Sequence, residues 1–502
     1  MGEALAALGD RMATIQDLSS VGCLLSWDQL TMMPKRGAQD RGSQIRTVKM
    51  LSHAMLVDNE TGRRLESAQT ELESSRATEF EAALVRVTRY DRERAMRVPA
   101  DLVGAIAQAA AVGYAAWTEA RQNSDFASFL PALERNIELR FRYIDCFKPT
   151  ASPYDVLLED FEPGLTSAEV TAIFEGLKPE LGPLVQRVVE RADQVDASVF
   201  EQSFPVEKQR AAGLQVLELL GFDRASWRID PTVHPFASSM GLSDIRLTTK
   251  FVENDITNSL LSTIHEFGHG LYEAQINQSL NRTPMCTGCS MTVHESLSRF
   301  WENMVGKSQP FWSLIHPLLL DAFPDQLANA SADQLFRAVN KMEPSLIRIE
   351  SDELTYGFHI VVRYELERDI IHGQLKARDL PEAWNAKMKE YLGVDVPSDS
   401  HGVLQDVHWS AGAIGYFPTY LLGSVLSAQL WDRMAIDLPA AERLIGSGDF
   451  KPIREWQRDH VHTHGRMYTP QETIERAVGG PLDPGPYIAY MKAKVAALYG
   501  ND

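Results

Sequence analysis

Two histidines four residues apart, with a glutamate directly after the first, stand in the chain as His265-Glu266-Phe267-Gly268-His269. Four residues are just over one helical turn, so the two imidazoles project from one face and reach a common ion. Glu266 lies roughly 100° further round that turn, beside such an ion rather than on it. From there it can take a proton from water that the cation has acidified. The pentapeptide alone is also compatible with a pair of hydrogen-bonded core histidines. Its downstream context favours a metal, because a catalytic zinc site uses three protein ligands and keeps one position open. Glu295, in Val293-His294-Glu295-Ser296, is the candidate third ligand, at the separation of a gluzincin. A metzincin would place a third histidine soon after Gly270, and the sequence has none there.

These residues need rigid carriers. Residues 260–272 follow a helical apolar pattern, and the stretch after Thr166 repeats Val170, Ile173, Phe174, Leu177, Leu181, Leu184 and Val188 at helical spacing behind a Thr166/Glu169 capping box. Similar periodicity runs through 60–122, 332–374, 381–392 and 484–499. Strand-like alternation is scarce. It is clearest at 244–249, where Ile245 and Leu247 alternate with Arg246 and Thr248. The chain is therefore expected to be mainly α, a large helical body with a small β-sheet near the metal helix. Proline and glycine punctuate it singly, with no long linker and no fixed repeat, so residues 1–502 read as one catalytic domain with no internal boundary.

Composition narrows the function. The 502 residues carry a formal net charge of −19 with no basic stripe, which excludes a polyanionic partner such as nucleic acid. The opening residues lack a basic segment followed by an unbroken apolar one, and the most apolar stretch, 104–117, contains Gln108 and is too short to span a bilayer. Four cysteines are too few for a disulfide framework in a chain of this length. A cytoplasmic protein with no membrane contact is expected. Cys286 and Cys289 form a CxxC without a second CxxC or a thioredoxin-like pattern, and read as two small loop residues.

Further motifs follow in order: His234-Pro235-Phe236, Asp244-x-Arg246-x-Thr248, the HEFGH segment, His294-Glu295-Ser296, Ile347-Arg348-x-x-Ser351-Asp352 and Gly402-x-x-Gln405-Asp406-x-His408-Trp409. Flanking them are Leu25-Ser26-Trp27-Asp28, Met33-Pro34 and His464-Gly465-Arg466. In this succession the sequence resembles the carboxypeptidase Taq family of metallocarboxypeptidases. It departs from the family pattern at Ser351, at Leu297 and in the Cys-Thr-Gly-Cys loop. The resemblance implies a helical fold with a deep groove between two lobes, zinc at its floor with cobalt able to substitute, a homodimer, and broad tolerance for the C-terminal residue released from peptides.

A carboxypeptidase must bind a free carboxylate, for which a guanidinium gives a charge-assisted pair. Arg348 is the first candidate and Arg246 the second, each also compatible with a structural ion pair; His234 is compatible with lining the groove beside Arg246 or with a hydrogen-bonded structural role before proline. Donors are also needed where negative charge develops on the carbonyl oxygen. His408, Tyr416 and Tyr420 supply candidates, in a segment resembling the donor region of related helical metallopeptidases. Glu302, Asp352 and Asp406 are candidates to hold the far nitrogens of ligand histidines or to orient other site groups. Two rival readings remain. An endo-acting oligopeptidase of a related helical gluzincin group would not need a carboxylate clamp. A non-catalytic, metal-stabilised binding protein would have no use for Glu266.

Overall fold

The computed structural model describes residues 2–74 and 76–500. Helix accounts for 71% of the chain, so the mainly α expectation holds. The Thr166 capping box is present: Thr166 accepts from the Glu169 N–H and the Glu169 carboxylate accepts from the Thr166 N–H, opening helix Ser167–Glu190. Its predicted apolar face, from Val170 through Phe174, Leu177, Leu181 and Leu184 to Val188, is buried. The periodic stretch 60–122 divides into helices Asn59–Ser74, Glu79–Arg97 and Ala100–Asn123. One break falls at Val98, extended because a residue before proline is driven out of the helical region.

The stretch 332–374 is also interrupted. Helix Ala332–Val339 ends, a loop with a short turn at Arg348–Glu350 follows, and helix Glu353–Ile371 begins at Asp352, whose carboxylate accepts from the Leu354 and Thr355 N–H groups (2.8 and 3.0 Å). This break places Arg348 on a loop, and Asp352 caps a helix instead of holding a ligand histidine. Helix Glu353–Ile371 is buried on nearly every side, which is why it shows no polar face.

Strand β1 (Trp227–Pro231), β2 (Ala237–Gly241) and β3 (Asp244–Thr249) form one sheet in the order β1-β3-β2, with β1 parallel and β2 antiparallel to β3. β3 is the strand read from the sequence; β1, Trp-Arg-Ile-Asp-Pro, carries a similar alternation, whereas β2 is Ala-Ser-Ser-Met-Gly and has no β-branched or aromatic residue to mark it. The sheet lies on the back of helix Ile256–Ala274. A Cβ on Gly270 would stand 2.7 Å from Trp227 and 2.9 Å from Ile245 and Leu247, so glycine allows sheet and helix to touch. No single helix among the described residues is long and apolar enough to cross a membrane.

Candidate metal and active site

Helix Ile256–Ala274 carries His265, Glu266 and His269, and helix Met291–Arg299 carries Glu295. Each begins on a side-chain cap, Asp255 and Ser290 respectively, that satisfies free N–H groups. The two helices are in backbone contact at Gly268, where a Cβ would lie 2.6 Å from the Leu297 carbonyl oxygen and 2.6 Å from Ser298 Cα. A third helix, Pro418–Asp437, crosses behind. Its Gly423 would, with a Cβ, meet Glu295 Cγ at 2.6 Å and Cβ at 2.7 Å. Glu295 is thus pressed from behind toward the histidines.

Among the described residues, one group of His, Cys, Asp and Glu converges as metal ligands would: His265, His269 and Glu295, whose ligating atoms all lie within 4.8 Å of one another. Glu295 Oε2 is 3.6 Å from His265 Nε2 and 3.4 Å from His269 Nε2. Ligands bound tetrahedrally at about 2.0–2.1 Å stand roughly 3.3–3.5 Å apart, so the donor set fits a small divalent cation. Burial drives His269 down to about 3, which keeps the imidazole neutral with its lone pair available. Burial opposes ionisation of Glu295, yet Arg299 and the two histidines outweigh it and hold the carboxyl well below the usual range.

Further residues orient these donors. His265 Nδ1 lies 2.8 Å from Glu302 Oε2. Arg299 donates to Glu295 Oε1 (2.8 Å) and to Glu302 Oε2 (3.1 Å), so one guanidinium braces two carboxylates. Glu302 sits where the helix widens into a π turn, Phe300–Val305, marked by the Gly306 N–H donating to the Trp301 carbonyl (2.8 Å). Such turns are rare and occur frequently at functional sites. Glu302 therefore stands where it can orient His265, Asp406 orients Arg348, another candidate site group, and Asp352 does neither. Arg299 was missed in the sequence, although its spacing of four from Glu295 and three from Glu302 is the helical signature of such a brace.

Glu266 is buried beside the donors, and its Oε2 has no hydrogen-bond partner among the described residues. Burial raises its carboxyl to about 7, against the opposing pull of His265.

The second group of candidates gathers around Asp406. This carboxylate accepts from Arg348 Nε (3.0 Å) and Nη2 (2.7 Å) and from Arg363 Nε (2.6 Å). Arg348 Nη1 also donates to Tyr356 Oη at 3.2 Å, and its guanidinium lies 5.0 Å from the centre of the Tyr420 ring. His408 Nε2 is 3.3 Å from Tyr420 Oη, with the Tyr416 ring 5.4 Å away. Tyr356 connects this cluster to the first, since the Arg299 guanidinium stands 4.3 Å over its ring. The helix that presses on Glu295 at Gly423 is the one that carries Tyr420. Burial lowers His408 to about 4 and raises Tyr416 to about 12, with Tyr420 also raised, so the imidazole is neutral and both phenols keep their protons.

The two arginines are less free than the sequence suggests. Arg348 is buried in its pair with Asp406, and Arg246 makes a two-point pair with Asp244 (2.8 and 2.8 Å) while stacking 4.5 Å over Trp27. Arg246 is thus turned to the sheet and Trp27, apart from the Asp406 cluster. His234 is exposed on the loop between β1 and β2. Loss of water over the part of its ring that neighbours cover lowers it, as do the charges of Lys250, Arg121 and Arg348.

The loop bearing His408 and Tyr416 has its own anchor, also missed in the sequence. Glu367 accepts from the Trp409 indole N–H (2.8 Å), the Tyr154 hydroxyl (2.8 Å) and the Gly415 N–H (3.0 Å), while Asn136 Nδ2 donates to the Trp409 and Ser410 carbonyls (3.1 and 2.7 Å). These partners lie 42 to 274 residues apart in sequence, so no local pattern announces them.

Gly423 gives a direct test of how the third helix positions Glu295. Gly423→Ala should destabilise the fold by about 1–3 kcal/mol through overpacking, and, if Glu295 is a ligand, should weaken metal retention because the new methyl displaces it. Thermal unfolding and elemental analysis after dialysis read the two effects. Wild-type metal content in a folded Gly423→Ala protein would show that Glu295 is not held from behind.

Comparison with known proteins gives a uniform result. A family model described as carboxypeptidase Taq (M32) metallopeptidase matches residues 7–495. Thermostable carboxypeptidase 1 of Thermus thermophilus is 37% identical over 492 residues, covering 96% of each chain. Carboxypeptidase 1 of Bacillus subtilis is 37% identical over 491 residues, covering 98% of this chain and 97% of that one. The solved structure of an M32 carboxypeptidase from Deinococcus radiodurans R1 superposes with a TM-score of 0.96 at 38% identity, covering all of both chains.

Proposed function

The chain belongs to the carboxypeptidase Taq (M32) family of metallopeptidases and is a metal-dependent carboxypeptidase of peptides, and on that premise we propose that it works through His265, His269 and Glu295 as ligands and Glu266 as general base. The observation carrying this reading is the convergence of three donor atoms beside a buried carboxylate with an unpartnered oxygen. Two imidazoles and one carboxylate suit zinc, with cobalt able to serve. Held there, the cation supplies Lewis acidity toward water and the scissile carbonyl.

The chain's own residues do the rest. Glu266 takes a proton from the attacking water as its oxygen bonds to the carbonyl carbon, and returns that proton to the amine nitrogen as the C–N bond breaks. Tyr416 and Tyr420, protonated at all working pH values, offer O–H donors to the oxygen on which negative charge develops, and neutral His408 fixes the Tyr420 hydroxyl. The terminal carboxylate of the substrate is assigned to Arg348. Its pair with Asp406 uses Nε and Nη2 and its contact with Tyr356 uses Nη1, which leaves one N–H on each Nη. His234 and Arg246 belong to the groove wall. Residues 1–502 act as one catalytic domain of two lobes, with broad tolerance for the residue released. Four free thiols support a cytoplasmic setting. Exposed apolar side chains on helices Glu3–Thr31 and Ala38–Val57, among them Val21, Leu24, Met50 and Leu51, support a homodimer.

A timed digest of a short peptide, read by mass spectrometry, tests the reading: a ladder losing residues from the C-terminus is expected, and internal cuts would favour an oligopeptidase. Amidating the peptide should lower kcat/KM by one to two orders of magnitude, since the lost charge-assisted contact is worth roughly 1.5–3 kcal/mol. Arg348→Met should compress that difference. Equal cleavage of acid and amide by the wild type would sink the carboxylate clamp, and undiminished discrimination in the mutant would move it away from Arg348.

A further inference from the structure

The CxxC singled out in the sequence has no redox or metal partner in the site above, yet its loop touches the machinery through its backbone. His269 Nδ1, the ring nitrogen opposite the one facing Glu295, lies 2.6 Å from Nδ1 of His294. The other nitrogen of His294, Nε2, is 3.0 Å from Glu273 Oε1, and the Gly288 N–H donates to that same oxygen at 3.3 Å. Gly288 lies between Cys286 and Cys289. A Cβ there would stand 2.7 Å from His294 Cδ2 and 2.9 Å from Tyr272 Cε1, so the loop is seated directly on the His294 ring. Its backbone is in turn held from outside. The Cys289 N–H donates to Tyr272 Oη (3.2 Å), the Arg466 N–H donates to the Met285 carbonyl (2.9 Å), and Gly465, at φ 49°, passes so close that a Cβ would meet that carbonyl oxygen at 2.3 Å.

We infer that the 285–289 loop, clamped by Gly465 and Arg466, is the backing of a His269–His294–Glu273 relay that fixes the tautomer and aim of His269 as a metal ligand. The inference rests on the reading of His269 as a ligand. Two Nδ1 atoms 2.6 Å apart share one proton: with Glu273 accepting from His294 Nε2–H, His294 Nδ1 is left as the acceptor and His269 Nδ1 carries the hydrogen. His269 Nε2 is then the lone-pair atom, directed at Glu295 and any cation beside it. A ligand histidine is most often oriented by one carboxylate or carbonyl; here a second imidazole is interposed, and an imidazole pivots unless something bears on the ring. Gly288 bears on it. His294, Glu273 and Gly288 are thus positioning residues. The thiols of Cys286 and Cys289 lie outside the relay: Cys289 Sγ accepts from the Tyr272 hydroxyl (3.8 Å), and burial raises both, to about 12 and about 11, so neither is a thiolate at neutral pH.

The test is Zn2+ affinity of the full chain by competition with a chromophoric chelator, which needs no turnover, alongside thermal unfolding of each metal-free variant. His294→Leu and Gly288→Ala should each bind Zn2+ about 10–100-fold more weakly, the usual loss when the support of a ligand is removed. The backbone at Gly288 is one that alanine adopts, so its effect is steric. His294→Asn places an acceptor oxygen where Nδ1 stood and should stay within about threefold of wild type. The double variant Cys286→Ser/Cys289→Ala should bind as wild type does. Wild-type affinity in Gly288→Ala and His294→Leu, or equal losses in His294→Asn and His294→Leu, would overturn the relay. A loss in the cysteine variant matching that of Gly288→Ala would assign the effect to the thiols and overturn it too. His269→Ala separates the two levels: if it retains Zn2+, the ligand assignment itself falls. If His294→Leu does not fold, Gly288→Ala decides.

Discussion

Glu266→Gln is expected to keep its full complement of metal and to lose turnover by about 10²–10⁴-fold, the range a positioned general base contributes. Glutamine has the same shape and leaves His265, His269 and Glu295 untouched, but its amide has no lone pair basic enough to hold the proton of the attacking water. The fold should not suffer. Burial raises the Glu266 carboxyl to about 7 in the metal-free chain, from an ordinary value near 4. An acid whose pKa rises on folding costs stability wherever the unfolded chain would ionise it, and the cost is complete above the folded value. At pH 8, metal-free Glu266→Gln should therefore unfold at the same temperature as metal-free wild type or a higher one. Metal content by elemental analysis, kcat on a short peptide and a melting curve make the complete measurement. Near wild-type kcat in a metal-replete Glu266→Gln protein would remove Glu266 from the role of base.

Glu295→Ala is the second large effect, and it acts on the metal rather than on the proton. The variant keeps two histidine donors, and its affinity should fall by more than the roughly 10–100-fold seen when only an outer partner of a ligand is removed. Activity should fall with it and recover in part when excess Zn2+ is added. A second cost arises in the fold. Arg299 loses one of the two carboxylates it braces, and an incompletely compensated buried charge costs about 3–5 kcal/mol. Glu295→Gln separates the two losses, since the amide oxygen still accepts from Arg299 and the side chain still fills the space over Gly423. Affinity should drop in both variants, with thermal stability dropping mainly in Glu295→Ala. Wild-type Zn2+ affinity in Glu295→Ala would shift the third-ligand role to Glu302, the next carboxylate along that helix.

The donor set was legible because it is local in its first two members. HExxH is a one-turn statement, true of any helix, and the residues that make helix Ile256–Ala274 are themselves periodic in sequence. The Thr166 cap, the face of helix Ser167–Glu190 and strand β3 were legible for the same reason, since each is specified by residues within a few positions of one another. Where the expectation broke, a neighbour in sequence or space intervened. Val98 is extended because Pro99 follows it, and residues 340–352 leave the helix so that Asp352 can cap the next one.

Arg348 marks the limit most clearly. Sequence gave its type and its motif, which suffice to nominate it for a carboxylate, but its partner Asp406 lies 58 residues on and Tyr356 sits on the following helix. The same holds for Gly423 beneath Glu295, for Glu367 holding the Trp409–Gly415 loop, and for Gly288 seated on His294. The sequence by itself determined which groups are candidates for the chemistry, because residue type and helical spacing fix what one turn can present. Tertiary structure alone decided which of those groups stay free and which are held. Contacts that aim, neutralise or crowd a side chain come from elements brought together by packing, and nothing in the spacing of a motif records them.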